Sequence, residues 1–232
     1  MIIAFSGTDG AGKSTQIELL HAALETQGVK PRTIWARGGY TPIMLRMKGV
    51  FLWIIGRKGS SQTLQAAGAT DYQAKRKRLL QRGFIARIWL AFAIIDLALL
   101  YGVYVRFLSW RGAVILCDRY VGDTKIDFLR NFPKQFKPAG FLWRSLIWSA
   151  PAPSLHIILT VSPEVSLRRS QQKNEPFPDS AETLAFRLAL YRADTEFTLS
   201  EVLRIDGSGP KADIAAKISR SDAVSRLLQA AS

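Results

Sequence analysis

Cysteine is nearly absent from this chain. Of 232 residues only Cys117 carries a thiol, so no internal disulfide can form. Its place in the apolar run 113–117 points to a buried thiol rather than a nucleophile, and a reducing cytoplasm is the expected setting. Histidine is almost as scarce. His21 reads onto a helix and His156 onto a strand, neither with partners at metal-ligand spacing, so both are expected to be packing or surface residues. Acidic residues are in deficit, 18 against 32 Lys and Arg, and the resulting charge of +14 favours anionic partners. Nucleotides, phosphorylated metabolites, nucleic acid and acidic membrane surfaces all fit, and charge alone does not choose. No repeat, low-complexity tract or linker divides the chain, so one domain over 1–232 is expected. No basic leader with a cleavable apolar segment is seen, so no secretory signal is expected.

One long hydrophobic run is present. Residues 88–105 carry a charge only at Asp96 and reach the length of a membrane span. A buried core helix is the preferred reading, because the run lies between two strands whose ends must meet at one site.

Short apolar runs rich in β-branched residues alternate with helical patterns, the signature of βαβ units in a parallel sheet. Five strands are expected at 2–6, 32–36, 113–117, 155–161 and 202–205, with helices on both faces. A first helix is expected from Lys13 to about Thr26, with Ile17, Leu20, Ala23 and Leu24 as its apolar stripe and Gly28 as its stop. Residues 44–87 mix apolar clusters, glycine and serine with the basic run 75–78, which reads as a helical acceptor-side region spanning about 40–110. Pro133, Pro138, Pro151 and Pro153 bracket a helix at 141–148.

Gly7-Thr8-Asp9-Gly10-Ala11-Gly12-Lys13-Ser14 satisfies the phosphate-loop pattern between a strand and a helix. Glycines let the backbone curl until its N–H groups point inward, and the helix amino terminus adds partial positive charge at the same place. Gly7, Asp9, Gly10, Ala11, Gly12, Lys13, Ser14 and Thr15 are therefore the expected ATP-binding residues. Lys13 is expected at the β and γ phosphates and the Ser14 hydroxyl at Mg2+. The apolar strand 113–117 ends in Asp118, the carboxylate expected to orient the hydrated magnesium, and Arg119 follows it.

With these residues in view the chain resembles the thymidylate kinase family of P-loop nucleoside monophosphate kinases. The first loop with Thr15-Gln16 after it, the turn Arg37-Gly38-Gly39-Tyr40-Thr41-Pro42, Asp118-Arg119-Tyr120, the run from Val161 through Arg168 and Arg169, and Ile205-Asp206-Gly207 resemble family motifs in order and spacing. The resemblance implies an α/β fold of P-loop NTPase type with a five-stranded parallel sheet and a lid at about 168–185. It implies that Arg37 and Arg119 grip an acceptor phosphate and that Asp9 contacts the acceptor sugar. It further implies that Arg168 or Arg169 closes over the transferred group, and that the protein is a homodimer.

Against that pattern the acceptor region departs. Asp96 stands where the family has an Arg that donates to thymine, so a donor has become an acceptor, although Phe92 remains available to stack on a base. Asp123 stands at the family's Ser after Asp-Arg-Tyr, Phe128 falls near a polar base-reading position, and Asp179-Ser180 only partly echoes the lid's Asp-Arg. These departures point to a changed nucleobase or an acceptor without a base.

Three readings follow. The first is transfer from ATP to a phosphate-bearing acceptor such as a nucleoside monophosphate, which needs positioning and charge neutralisation but no general base. The second is transfer to a hydroxyl on a nucleoside, sugar or lipid-linked alcohol, with Asp9, Asp96 or Asp123 as base and residues 45–58 resting on a membrane surface. The third is a nucleotide-binding switch or nucleic-acid-binding protein without turnover; no base-reading module accompanies the basic run.

Overall fold

The computed structural model describes residues 1–36, 83–173, 179–193 and 201–231. Arg37 and its turn, the segment 45–58 and the basic run 75–78 lie outside the described residues.

The strands are β1 (Ile2–Gly7), β2 (Arg32–Trp35), β3 (Ile115–Asp118), β4 (Leu155–Thr160) and β5 (Glu201–Asp206), each within a residue or two of its sequence expectation. They form one sheet in the order β2-β3-β1-β4-β5, and every neighbouring pair is parallel. The order reverses around β1, whose carboxyl end therefore opens onto a crevice between divergent connections. Gly7, Asp118, Thr160 and Asp206 sit at that edge. This is an α/β fold of P-loop NTPase type.

Period-two alternation assigns each strand residue to a face. Ile3 and Phe5 of β1, Leu116 of β3 and Ile157 and Leu159 of β4 face one core, shared with Ile17, Leu20 and Leu24 of α1 (Lys13–Thr26). The same core takes Ile214 and Ile218 of a late helix (Lys211–Ser219) and Val224 of the last one (Asp222–Ala231). Ile2, Ala4, Ile115 and Cys117 face the other way, into a core closed by Leu90, Leu97, Tyr101, Phe128 and Leu146. Burying each large aliphatic side chain contributes roughly 1.5–3 kcal/mol, so the sheet is held from both faces. Helix α1 ends as expected, with Gly28 at φ +76° and its N–H donating to the Glu25 carbonyl at 2.9 Å.

The long apolar run lies in a continuous helix made of α2 (Gly83–Ala98), a π-helical stretch (Leu99–Val105) and α3 (Arg106–Trp110). By length and composition it is able to cross a membrane. In the structure one face is core, carrying Ala86, Leu90, Ala93, Leu97, Tyr101, Val105 and Leu108. That face fits the expected core helix, and the other departs from it. Phe84, Phe92, Ile95, Leu99, Val103, Phe107 and Trp110 recur at helical spacing there and are exposed. The π-helical stretch passes close to α5 (Phe141–Ser149), where a Cβ on Gly102 would come within 2.9 Å of Ser149. It also seats the Tyr101 ring 4.5 Å from that of Tyr120, beneath the end of β3.

Candidate active site

Gly7 ends β1 at φ +137°, and a side chain there would place Cβ 1.7 Å from the Leu159 carbonyl oxygen, so only glycine fits. Thr8 locks the loop onto β4: its N–H donates to Leu159 O at 3.1 Å and its hydroxyl accepts from Val161 N–H at 2.9 Å. Gly12 precedes α1 at φ +92°, a Cβ there would meet only open space, and no side chain caps the helix. The first backbone N–H groups of α1 and its positive pole are thus presented to the crevice, beside an exposed Ser14 and a half-buried Thr15.

The loop is held from behind by α6 (Pro163–Gln172). That helix begins at Ser162, whose hydroxyl accepts from Val165 N–H, with Pro163 at the first helical position. Its Ser166 hydroxyl donates to Asp9 O at 2.7 Å. Arg169 donates to Gly10 O at 2.8 Å and to Gly207 O at 2.9 Å. Arg169, expected to close over the transferred group, is placed as a brace between the loop and the turn after β5, whereas Arg168 is exposed. Gly207 is part of the same brace, since a Cβ there would lie 2.4 Å from Ala11 O.

Lys13 is 8% exposed, and its ammonium donates to the carbonyls of Gly7 at 3.0 Å and Thr8 at 2.7 Å. Burial first and the nearby Arg119 second bring its pKa down to about 8, against the pull of Asp9, Asp123 and Asp118. Asp118 stands across the crevice at the end of β3, and desolvation raises its pKa against the influence of Lys13 and Arg119. A hard divalent cation at nucleotide phosphates takes one or two protein oxygens, and the exposed Ser14 hydroxyl with the desolvated Asp118 carboxylate fit that requirement.

Arg119 has φ +74°, the left-handed region that a non-glycine side chain enters at a cost of roughly 1–2 kcal/mol. Its N–H donates to Phe5 O at 2.9 Å, tying the strained residue to β1. The side chain donates to Asp9 Oδ1 at 2.7 Å, and its Nη1 lies 3.8 Å from Asp123. Asp9 is consequently held down at a pKa of about 2, with Arg119, Lys13 and Arg187 together overcoming desolvation, the largest single influence.

Asp123, expected beside the acceptor, is instead 2% exposed. It accepts from the Ser6 hydroxyl, from Tyr120 N–H at 2.9 Å and from the Tyr191 hydroxyl at 2.7 Å. Three residues into α4 (Val121–Asn131), it closes that helix's first turn, so its oxygens are committed internally. His156 is buried and shares a 2.8 Å hydrogen bond with the Ser6 hydroxyl. Asp96 is buried on α2, while Phe92 is 38% exposed. Phe128 sits in an aromatic cluster with Trp89, Phe132, Phe136 and Trp143, as core rather than as a base-reading position. Cys117 is buried and its pKa is pushed up to about 12 by desolvation, so it is an unreactive thiol.

The sequence reading passed over Arg187, on α7 (Ala181–Ala193). It is 2% exposed and lies 2.9 Å from Asp127, 3.1 Å from Asp179 and 3.7 Å from Asp9. A signal was present, because Arg187 is a lone charge on the helical stripe Leu184, Leu188 and Tyr191.

No family model matches the chain. It is 28% identical over 171 residues to a thymidylate kinase of Symbiobacterium thermophilum, a match covering 73% of this chain and 66% of that protein. A thymidylate kinase of Caldicellulosiruptor saccharolyticus is 25% identical over 228 residues, 93% of this chain and 92% of the relative. One from Trichlorobacter lovleyi is 28% identical over 175 residues, 75% of this chain and 69% of the relative. Loop, strand-end pair and fold thus accompany a distant, thymidylate kinase-like relationship.

Proposed function

We propose that this protein transfers the γ-phosphoryl group of ATP, with magnesium, to a nucleoside monophosphate or a similar small phosphate-bearing acceptor. The observation that carries the reading is the convergence of the uncapped loop, Lys13, Asp118 and Arg119 at the carboxyl edge of β1 and β3. Loop N–H groups and Lys13 hold the polyphosphate and offset its charge. Magnesium, held by Ser14 and Asp118, would supply further neutralisation of the phosphate oxygens. Arg119 grips the acceptor phosphate in this reading, a task that suits the planar fork of a guanidinium. Arg37 is the second acceptor-phosphate ligand in this reading.

An ionised phosphate acceptor needs no general base, which matches the carboxylates of the site. Asp9, held at a pKa of about 2, is a weak base, and Asp123 is enclosed by internal donors. Both features weigh against a hydroxyl acceptor. The exposed stripe from Phe84 to Trp110 belongs to a homodimer interface in this reading, in a cytoplasmic enzyme. Val103→Arg should then yield monomers by light scattering, and an unchanged mass would remove that part of the proposal.

The test of the activity is purified protein with ATP and magnesium against panels of nucleoside monophosphates, nucleosides, sugars and polyprenyl alcohols. Phosphorylation of a monophosphate is expected. Transfer to hydroxyls alone would replace the acceptor, and tight ATP binding without any transfer would replace the enzyme with a switch.

A further inference from the structure

We propose that Arg187 is the positioning residue for Asp9, fixing that carboxylate so that its Oδ2 edge is presented to a hydrogen-bond donor on the acceptor. The inference rests on the kinase reading above and adds a residue to its acceptor site.

Asp9 and Arg187 sit at different depths. The Asp9 side chain is 29% exposed in the crevice, and Arg187 lies behind it at 2%. An isolated buried guanidinium is strongly disfavoured, and this one is anchored by Asp127 of α4 at 2.9 Å and by Asp179, ahead of α7, at 3.1 Å. Asp179 is itself held by Arg130 at 3.4 Å. The guanidinium therefore belongs to a frame joining α4 to α7, and its Nη1 reaches Asp9 from that frame.

The two Asp9 oxygens are held unequally. Oδ1 accepts a 2.7 Å hydrogen bond from Arg119, whereas Oδ2 stands 3.7 Å from Arg187 Nη1, within electrostatic attraction but beyond hydrogen-bond length. Rotation of the carboxylate is thus restrained on both sides while the Oδ2 lone pairs stay available. A hydroxyl or amino group carried by the acceptor is the chemistry that completes them. The phosphate loop's own backbone does not supply this restraint, because Ser166 holds the Asp9 carbonyl rather than its side chain.

Arg187→Lys keeps one charge but loses the planar fork that meets three carboxylates. The expected result is a KM for the acceptor raised about tenfold with the KM for ATP within about twofold. In an Asp9→Asn background the same change should have little further effect on acceptor KM, because the group it positions is already altered. Parallel rises in both KM values, or effects of Arg187→Lys and Asp9→Asn that simply multiply, would overturn the proposal. If Arg187→Lys fails to fold, Asp127→Asn loosens one anchor and should raise acceptor KM about threefold; an unchanged value would equally overturn it. A wild-type protein that phosphorylates no member of the panel would instead overturn the kinase reading itself.

Discussion

Around the phosphate loop the contacts are made largely to backbone: Gly7 against Leu159, Thr8 against Leu159 and Val161, Gly207 against Ala11, and Arg169 on two carbonyls. On the acceptor side the same strand ends are held by side-chain charge, through Asp9, Arg119, Asp123, Asp127, Asp179 and Arg187. The first region has no room for an added atom at Gly7 or Gly207. The second is held partly by looser ion pairs of 3.7 and 3.8 Å, and loss of one charged partner is expected to be costly there. In the proposed reading, donor binding would then rest on backbone geometry and acceptor binding on electrostatics.

The largest effect tests Lys13, a loop residue within electrostatic reach of Arg119, Asp9, Asp123 and Asp118. Lys13→Ala should lower phosphoryl transfer by roughly 10²–10³-fold or more, since a preorganised cation at the developing charge is removed. Steady-state rates with intact folding by circular dichroism provide the check; near-normal turnover would dissolve the link between the regions.

On the charged side, Asp123→Ala deprives the Ser6 and Tyr191 hydroxyls and the Tyr120 N–H of their acceptor and weakens the balance around Arg119. A loss of about 3–5 kcal/mol in unfolding free energy is expected from urea titration, the range for breaking a buried charged network. A loss below about 1 kcal/mol would mean that these groups find water instead.

On the backbone side, Gly207→Ala introduces one methyl group facing the Ala11 carbonyl at 2.4 Å. The clash should cost about 1–3 kcal/mol and weaken ATP binding in fluorescence titrations, although no ligand-contacting side chain has changed. Unaltered ATP affinity would show that the turn after β5 does not set the loop's shape.

The same contrast explains what the sequence revealed. The unit β1, loop and α1 was legible because its signals are local: alternating apolar residues, then glycines where positive φ is needed, then a 3.6-residue stripe. Asp118 and Arg119 were legible as charges closing an apolar strand. Arg187 was legible only as a lone charge on an apolar helical stripe; its three carboxylates come from α4, the segment before α7 and the loop, a meeting that no local pattern announces. Asp123 was misplaced for a related reason. Its position three residues after Tyr120 carried a helix-capping signal, but the likeness to thymidylate kinases directed attention to the acceptor. The π-helical turn at Leu99–Val105 had only Gly102 to mark it, a residue whose role depends on the approach of Ser149 from another helix.

Protons offer the finest division between the two regions. Free Lys13, pressed to a pKa of about 8 chiefly by burial, keeps its ammonium on two loop carbonyls. Since this folded value lies below the ordinary lysine value of 10.5, the unfolded chain holds more protons between those limits, and this group's contribution to stability rises with pH across that window. A bound triphosphate places negative charge beside the ammonium and restores the protonated form. At pH 8.5 roughly three quarters of free Lys13 is neutral, so ATP binding should take up a fraction of a proton approaching that value. Calorimetric titrations in buffers of differing ionisation enthalpy measure the uptake, and Lys13→Arg should abolish it, because guanidinium stays charged at this pH. The acceptor-side Asp9, already ionised, should contribute nothing. Uptake that persists in Lys13→Arg would place the titrating group elsewhere and break the separation between a donor side that exchanges protons and an acceptor side that does not.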